Sequence, residues 1–520
     1  MELFVRKHKK KINATLGCFD RMLFRGYLPI QSGWAMAQFL NQKDIRCSNL
    51  KDFLSENAGR VNNHAKTMAK KLGRPFQYLT APTRKEDLAR KMAENERIKH
   101  GLVCIFSVLE PCRSFSFKFK IGRPYVQSAR RKCLFLYFYF MDRDFGLIHV
   151  KLQTWFPMPI QVYLNGHEWL ARKFSAHRIS FTQHDNVFVR VENWRRAQKF
   201  ADRFAGRNWP QILERYAHRV NPLLKDLLHG LQHYWVTAQS EYSTDIIFKS
   251  SSDLRELFPR LLSHSTLCFG AQEVMSFLGR KLTGNFLGEI VSDMKAGGWR
   301  RRIPGARIKH RVKENWLKMY DKAGSVLRVE MVINNPEEFK VRKRVSRKGK
   351  EVMEWVPMRK SVAYLFRYQE VSQRANQRYL DALAVVDDPT PAIQQLDHVT
   401  TRKTTPSGRG VRAFNPLSRE DTQLFQAMMA GEHCIRGLSN ADIRAHLAGS
   451  PHLRDLANDP KRQSAKVSRI LNRFHTHRLI AKIPHTRRWR VTNRGRRVMA
   501  ASLCLRDTAF PALYQKAVAV

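Results

Sequence analysis

An excess of positive charge is the feature that most constrains this chain. Its 520 residues include 93 Lys and Arg against 44 Asp and Glu, which gives a formal net charge of +49. Such an excess repels itself in a compact chain unless phosphates or counterions neutralise it, and each cation that displaces a condensed counterion adds salt-sensitive affinity. The charge therefore predicts a polyanionic partner, with DNA as the first expectation and RNA as an alternative.

The chain also carries enough apolar side chains to fold. Hydrophobic residues make up 43% of it, which is too apolar for a disordered basic tail. No uninterrupted apolar run of about 18 residues occurs, and residues 1–9 lack the apolar core of a signal peptide. The eight cysteines include no CxxC pair, so a zinc site is not expected. We expect a cytoplasmic protein with no membrane partner.

Hydrophobic spacing divides the chain into segments. Apolar residues three and four apart predict a helical region over residues 1–98. Short runs of Val, Ile, Phe and Tyr predict an antiparallel α+β sheet domain over 99–220, and a basic α+β domain over 221–386. Pro and Gly with few aliphatic residues predict a linker over 387–416. The predicted fold class is α+β and multidomain, with a separate last domain over 417–520.

This last domain has a distinctive order of elements. A helix after Ser418 is followed by a second helix that Ser439 caps, and by a third helix over residues 461–478. Apolar residues form one stripe of the third helix, and cations follow spacings of four, three and four on another face. Two short strands then enclose a basic tip at residues 484–488.

This order resembles the winged helix-turn-helix family of DNA-binding domains. The resemblance implies that the third helix enters the major groove and that the tip of the wing reaches phosphates or the minor groove. The residues expected to contact DNA are Arg462, Ser464, Lys466, Arg469, Arg473, Arg487, Arg488 and Arg490. The alternative is a winged helix that binds protein, with its cations solvated.

A hairpin over residues 316–333 is the candidate active site. Strand alternation places its apolar side chains on one face and its charged or polar ones on the other. The second face carries Lys318, Tyr320, Lys322, Arg328 and Glu330.

The triplet Tyr320-Asp321-Lys322, followed by Arg328-x-Glu330, resembles the core hairpin of rolling-circle replication initiators of plasmids and filamentous phages. In that family the sheet carries acidic metal ligands, and a Tyr attacks a DNA phosphate. The resemblance implies divalent-metal-dependent nicking, with Mg²⁺ or Mn²⁺ as the cofactor. The two His residues that many initiators carry on one strand are not on this hairpin, so catalysis stays open.

Chemistry restricts the residues that could act. A nucleophilic Tyr, with a pKa near ~10, needs cations or a metal ion to favour phenolate. Tyr320, Tyr379 and Tyr242 are the candidate nucleophiles, although Tyr379 and Tyr242 fit equally well as packing residues. Glu330 and Asp245 are the candidate metal ligands. Lys318, Lys322 and Arg328 would stabilise charge on the phosphate. The alternative is a solvated charged face or a surface that only binds phosphate.

Two basic runs, near residues 299–311 and 340–350, are further candidates for nucleic-acid binding. They suit a groove that tracks phosphates, including those of a single strand, where aromatic side chains stack on bases. The candidate phosphate-binding residues are Arg300, Arg301, Arg302, Lys309 and Arg311. The second run is read as a loop.

Three functions fit these patterns. The first is a DNA-processing protein of a replicon or mobile element, which finds its site through the winged helix and nicks it. The second is a non-catalytic DNA-binding regulator. The third is a protein partner of a structured RNA in a ribonucleoprotein.

Overall fold

In the computed structural model the chain forms two compact units, Met1–Val386 and Asp387–Val520. The structure describes residues 1–80, 82–120, 123–283, 286, 288–295, 306–347, 350–386, 389–405, 408–431, 433 and 437–518. Each unit has its own buried apolar core. Helices, one large mixed sheet and several small sheets confirm the α+β, multidomain prediction.

The first unit contains ten α-helices among its described residues. They are α1 Glu2–Lys7, α2 Gly33–Gln42, α3 Leu50–Lys71, α4 Lys85–Asn95, α5 Gly166–Ala176, α6 Trp194–Asp202, α7 Trp209–Val220, α8 Ser251–Cys268, α9 Ala271–Phe277 and α10 Leu365–Leu383.

This unit also contains fifteen β-strands among its described residues. They are β1 Ile12–Tyr27, β2 Phe76–Tyr78, β3 Gly101–Lys120, β4 Arg123–Asp142, β5 Gly146–Gln153, β6 Ile160–Asn165, β7 Phe181–His184, β8 Val187–Val191, β9 Tyr234–Phe248, β10 Ile290–Lys295, β11 Arg307–Val312, β12 Asn315–Lys322, β13 Val326–Ile333, β14 Lys340–Arg347 and β15 Lys350–Pro357.

Eleven of these strands form one sheet in the order β10-β11-β12-β13-β9-β1-β6-β5-β4-β3-β2. Neighbours are antiparallel except for β2 and β3, which are parallel. Strands β7 and β8 pair with each other, as do β14 and β15. The sheet draws on all three segments predicted over 1–98, 99–220 and 221–386, which therefore share one compact unit instead of forming separate domains.

Strand β1 corrects the prediction that residues 1–98 are helical. It lies in the middle of the sheet, between β9 and β6. Its register with β9 shifts between Phe19 and Met22. Such a bulge inserts an extra residue and breaks the two-residue alternation of a strand, so a simple strand period is not visible in the sequence.

The second unit contains helices α11 Pro389–Thr400, α12 Arg419–Met428, α13 Asn440–His446, α14 Pro460–Thr476, α15 Asn493–Cys504 and α16 Phe510–Val518. Its strands are β16 Lys403–Thr404, β17 Gly410–Val411, β18 Ile480–Lys482 and β19 Trp489–Val491. Strands β18 and β19 form a hairpin, and Leu438 bridges to Trp489 beside it. Ser439 and Asp442 form the expected capping box at the start of α13.

The linker predicted over 387–416 is in part folded. It contains α11 and the strands β16 and β17. Val399 and Phe414 are 1% and 2% exposed in the core of the second unit. Burial of Val399 and Phe414 therefore anchors a segment whose Pro and Gly content predicts a flexible linker.

A buried histidine makes the stability of the first unit depend on pH. His310 on β11 is 1% exposed, and its ring nitrogens lie 2.7 Å from Ser292 Oγ and 3.3 Å from the Tyr379 hydroxyl. Burial lowers the pKa of His310 to about 4. In the unfolded chain this His binds a proton near its ordinary pKa of about 6.5, whereas in the folded state it binds one only near pH 4. The stability that is present above pH 6.5 is therefore lost as the pH falls towards 4.

We predict that His310→Gln reduces this loss. Between pH 7 and pH 4.5 the free energy of unfolding of the variant should fall by about 2–3 kcal/mol less than that of the wild type. Urea unfolding followed by tryptophan fluorescence at both pH values measures it. Gln in place of His100, which is exposed, is the control. An equal pH dependence of His310→Gln and the wild type would contradict the prediction.

Candidate functional site

A polar cluster occupies one face of the sheet where β1, β9, β13 and β12 adjoin. Register sets the arrangement, since Lys318 is directly opposite Glu330, Tyr320 is opposite Arg328, and Arg328 is opposite Asp245. Residues two apart on a strand share a face. The charged face predicted for the hairpin over 316–333 is therefore present, and it continues across β9 onto β1.

Arg328 is the centre of this cluster. It is 0% exposed. Its Nε and Nη2 donate to the two carboxylate oxygens of Asp245, each at 2.7 Å, and its Nη1 donates to Asp20 Oδ2 at 3.2 Å. Nη2 also donates to the Asn186 carbonyl at 2.8 Å. Burial opposes the charged form, but Asp245 and Asp20 outweigh it and raise the pKa of Arg328 further above its usual range.

These contacts correct two predicted roles. Arg328 cannot reach a phosphate, because it is fully buried and its donors are committed to protein acceptors. Asp245 is one of the two predicted metal ligands, but both its oxygens bind the guanidinium. The two residues form a bidentate pair that orders the neighbouring strands.

Asp20 lies within the bulge of β1, a position from which a side chain can be re-aimed out of the regular pleat. Asn165 and Asn186 each donate to it from the side-chain amide at 2.7 Å. Burial raises the pKa of its carboxyl, but the adjacent His167 and Arg328 lower it by more, so the net pKa lies below its ordinary value. Asp20 therefore stays ionised.

Three carboxylates converge beside this pair. Asp20, Glu241 and Glu330 each place one oxygen within 4.8 Å of those of the other two. Glu330 is 2% exposed, and its Oε2 accepts from Lys318 Nζ at 2.8 Å. Its buried Oε1 has no hydrogen-bond partner among the described residues. Oxygen ligands of this kind are those that Mg²⁺ and Mn²⁺ prefer. We call Asp20, Glu241 and Glu330 the carboxylate triad.

The charge balance around the triad is negative. Burial, and then the charge of Glu330, raise the pKa of Glu241 to about 7. Counted with Asp245, four buried carboxylates adjoin three basic groups, which are Arg328, Lys318 and His167. Burial opposes the charged form of His167, but Asp20 and Asp245 outweigh it and raise its pKa. One negative charge is therefore left unpaired when Glu241 ionises, and burying unpaired charge is costly. A divalent cation would favour the ionised form of Glu241.

A cavity of about 320 Å³ lies against the triad. Its lining joins the triad to five basic side chains, which are Arg21, Arg90, Arg307, Lys318 and Lys322, and to four further carboxylates, which are Glu86, Glu168, Asp185 and Asp321. A phosphate bound beside a metal ion would have these cations within its surroundings. Lys322 is also held by Asp185, whose carboxylate oxygen lies 2.6 Å from Lys322 Nζ.

The three candidate nucleophiles are separated. Tyr242 is buried, and its hydroxyl accepts from Gln373 Nε2 at 2.8 Å. Tyr320 lines the cavity, but burial, and then the charge of Glu330, raise its pKa well above the ordinary value, which disfavours phenolate. Tyr379 is wrong as a residue of this site. It is fully buried, its hydroxyl donates to Ser265 Oγ at 3.0 Å, and it contacts His310 on the apolar face of the sheet.

The first basic run is only partly described. Lys309 Nζ lies 3.5 Å from the ring centroid of Trp316, and Arg311 is paired with Glu289. Arg300, Arg301 and Arg302 lie outside the described residues.

The residues expected to contact DNA differ in the exposure of their side chains and in their contacts within the protein. Side chains of Arg462, Arg469, Arg487 and Arg490 are exposed, and Lys466 is half-buried. Ser464 Oγ donates to Asn440 at 3.3 Å, and Arg488 lies 3.3 Å from a carboxylate oxygen of Asp442.

Arg473 corrects the prediction of a line of four cations on the third helix. It donates to both oxygens of Asp421 at 2.8 and 3.0 Å, and its guanidinium lies 3.8 Å from the ring centroid of Phe414. At this spacing from Arg469, the side chain of Arg473 also faces α12. Arg473 therefore links α14 to α12.

Comparisons with protein-family models, curated proteins and solved structures found no match for this chain. Over the residues that the structure describes, no helix combines the length and the apolar character that crossing a membrane requires.

We predict that Arg328→Met destabilises the first unit. The change leaves Asp20 and Asp245 buried without their cation, which should cost about 3–5 kcal/mol of unfolding free energy. Arg260→Ala is the matched control, because Arg260 pairs with Glu256 on the surface of α8 and should cost under about 0.5 kcal/mol. Urea unfolding measures both, and similar small costs would show that the buried pair does not hold the sheet.

Proposed function

We propose that this protein cleaves DNA with a divalent ion, Mg²⁺ or Mn²⁺, bound by the carboxylate triad, and that its C-terminal unit binds duplex DNA. One observation carries the cleavage. In a chain of net charge +49, carboxylates outnumber cations at the buried centre of the large sheet, and one carboxylate oxygen of the triad has no hydrogen-bond partner among the described residues. The adjoining cavity is lined by both carboxylates and basic side chains, and the basic ones would favour a phosphodiester as the substrate.

The reaction assigned to the site is hydrolysis. A water oxygen forms a bond to phosphorus, the bond from phosphorus to one sugar oxygen breaks, and that oxygen leaves with a proton that the water gives up. A divalent ion supplies Lewis acidity and favours the deprotonated water. Lys318 and Lys322 would stabilise the charge on the phosphate. Water is preferred to Tyr320 as nucleophile because burial and the charge of Glu330 raise the pKa of Tyr320, and the opposing charge of Arg328 does not offset them.

The C-terminal unit supports the duplex-binding part. Helices α12, α13 and α14, followed by the hairpin of β18 and β19 and by α15, have the order of a winged helix. Arg462 and Arg469 are exposed on α14, and Arg487 is exposed at the tip of the hairpin. In winged helices the third helix reads the major groove, and the hairpin contacts the backbone.

We predict that Glu330→Gln abolishes metal-dependent cleavage. Supercoiled plasmid and single-stranded DNA are incubated with Mg²⁺ or Mn²⁺, with EDTA as the blank, and products are followed on gels. Loss of a ligand should lower the rate more than about 100-fold, while the melting temperature and the DNA affinity stay close to those of the wild type. Glu256→Gln, which removes an exposed carboxylate, and Tyr320→Phe should both keep activity.

Other outcomes would overturn parts of the proposal. A wild type that binds DNA but never cleaves it with any divalent ion is a non-catalytic regulator. Binding restricted to RNA, without cleavage, would indicate a ribonucleoprotein partner, and cleavage restricted to RNA would replace DNA with RNA as the substrate. A covalent protein–DNA adduct that Tyr320→Phe removes would replace water with Tyr320 as the nucleophile.

We also predict that alanine substitutions at two arginines of α14 affect different properties, duplex binding in one case and thermal stability in the other. Arg469→Ala should weaken duplex binding by about 1–3 kcal/mol if the side chain reads a base edge, with no change in melting temperature. Arg473→Ala should lower the melting temperature, because it removes the buried partner of Asp421. Equilibrium binding and thermal unfolding of the full chain measure both. Duplex affinity unchanged in Arg469→Ala would count against a recognition role for α14.

A further inference from the structure

Strands β14 and β15 form a two-stranded ribbon, where the sequence pattern predicts a loop. They pair with each other and with no other described strand. Residues 340–357 contain seven Lys and Arg against two Glu. The ribbon is therefore one of the more basic segments of an already basic chain, and the carboxylate triad does not involve it.

One face of the ribbon places apolar surface beside cations. Arg342 is directly opposite Trp355, and Arg344 is directly opposite Met353. Trp355 is 58% exposed and Met353 is 46% exposed. Arg344 has an acidic neighbour in Glu351 at 3.7 Å, but both side chains are more than two-thirds exposed, so this pair is weak. A large exposed indole flanked by arginines is left without a partner in the described chain.

The root of the ribbon is fixed. Val341 is buried against the core, and the Met358 amide donates to the Phe339 carbonyl at 2.8 Å. Lys343 Nζ donates to the Tyr364 hydroxyl at 2.8 Å, and Arg367 of α10 donates to the Arg342 carbonyl at 3.3 Å. The exposed face is consequently held in place before any partner arrives, which lowers the entropy cost of binding.

We propose that the face of Trp355, Arg342 and Arg344 binds an unpaired stretch of nucleic acid, with a base stacked on Trp355 and the arginines on backbone phosphates. Stacking on an indole requires a base whose face is free, as in a single strand, and it tolerates any sequence. The charge of the ribbon suits a polyanion. The proposal rests on the proposed function only in taking nucleic acid as the partner, and it requires neither metal nor cleavage.

The test measures binding of the full chain, in EDTA, to a labelled mixed-sequence strand of about 16 nucleotides and to its duplex, by fluorescence anisotropy. Trp355→Ala should weaken single-strand binding about tenfold or more and leave duplex binding unchanged. Trp355→Phe, which keeps an aromatic face, should restore most of the affinity. Trp34→Ala is the matched control, since Trp34 is 71% exposed on α2, away from the ribbon. In the Arg342→Ala, Arg344→Ala double variant, the slope of log affinity against log salt for the single strand should fall by about 1.4.

Two results would overturn the proposal while leaving nucleic-acid binding intact. One is single-strand affinity of Trp355→Ala equal to that of the wild type. The other is an equal loss of single-strand and duplex affinity, which would make the ribbon a general electrostatic contact. If the wild type binds neither probe, the nucleic-acid partner fails as well. If it binds but never cleaves, only the catalytic part of the proposed function fails.

Discussion

The bidentate pair of Arg328 and Asp245 is the interaction on which the central sheet depends. It joins β13 to β9, and the third contact of the guanidinium, to Asp20, extends the link to β1. A buried ion pair of this kind is weak support for stability in itself, since its desolvation offsets much of its attraction. Its effect here is positional. It fixes the strands that carry Asp20, Glu241 and Glu330, so that their carboxylates meet.

The net charge of the whole chain and the charge at the centre of its sheet therefore differ in sign. The whole molecule is strongly positive, which favours long-range attraction of a polyanion. At the centre of the sheet the sign reverses, because carboxylates outnumber cations in a buried setting where each charge counts for more. Part of this buried network is structural, since Arg328 joins three strands through Asp245 and Asp20. The excess of carboxylates is the feature that the proposed divalent ion would use.

Local patterns in the sequence predicted the hairpin face but not the complete triad. Lys318, Tyr320 and Glu330 share a face because alternation and a tight turn fix the register within a short segment. Asp20 and Glu241 belong to strands far away in the chain, and the bulge in β1 hides the period that would reveal Asp20. The only signal for Asp20 is an acidic residue, followed by Arg21, within an otherwise apolar stretch of a segment predicted to be helical.

The errors in the second unit and on α10 have a related cause. Helical spacing identifies which residues share a face, but it does not identify what that face meets. Tyr379 is on a face of α10 that packs over the apolar side of the sheet, and Arg473 meets Asp421 although it follows the spacing of exposed cations. Packing between elements distant in sequence decided both positions.

The claim that the triad holds a divalent ion is tested most directly by titrating the metal-free full chain with Mn²⁺ and following free Mn²⁺ by electron paramagnetic resonance. Binding at one site per chain in the wild type and in Glu256→Gln, and its loss in Glu241→Gln and in Glu330→Gln, is the predicted result. Mn²⁺ binding that these two triad variants leave unchanged, or no binding by the wild type, would contradict it.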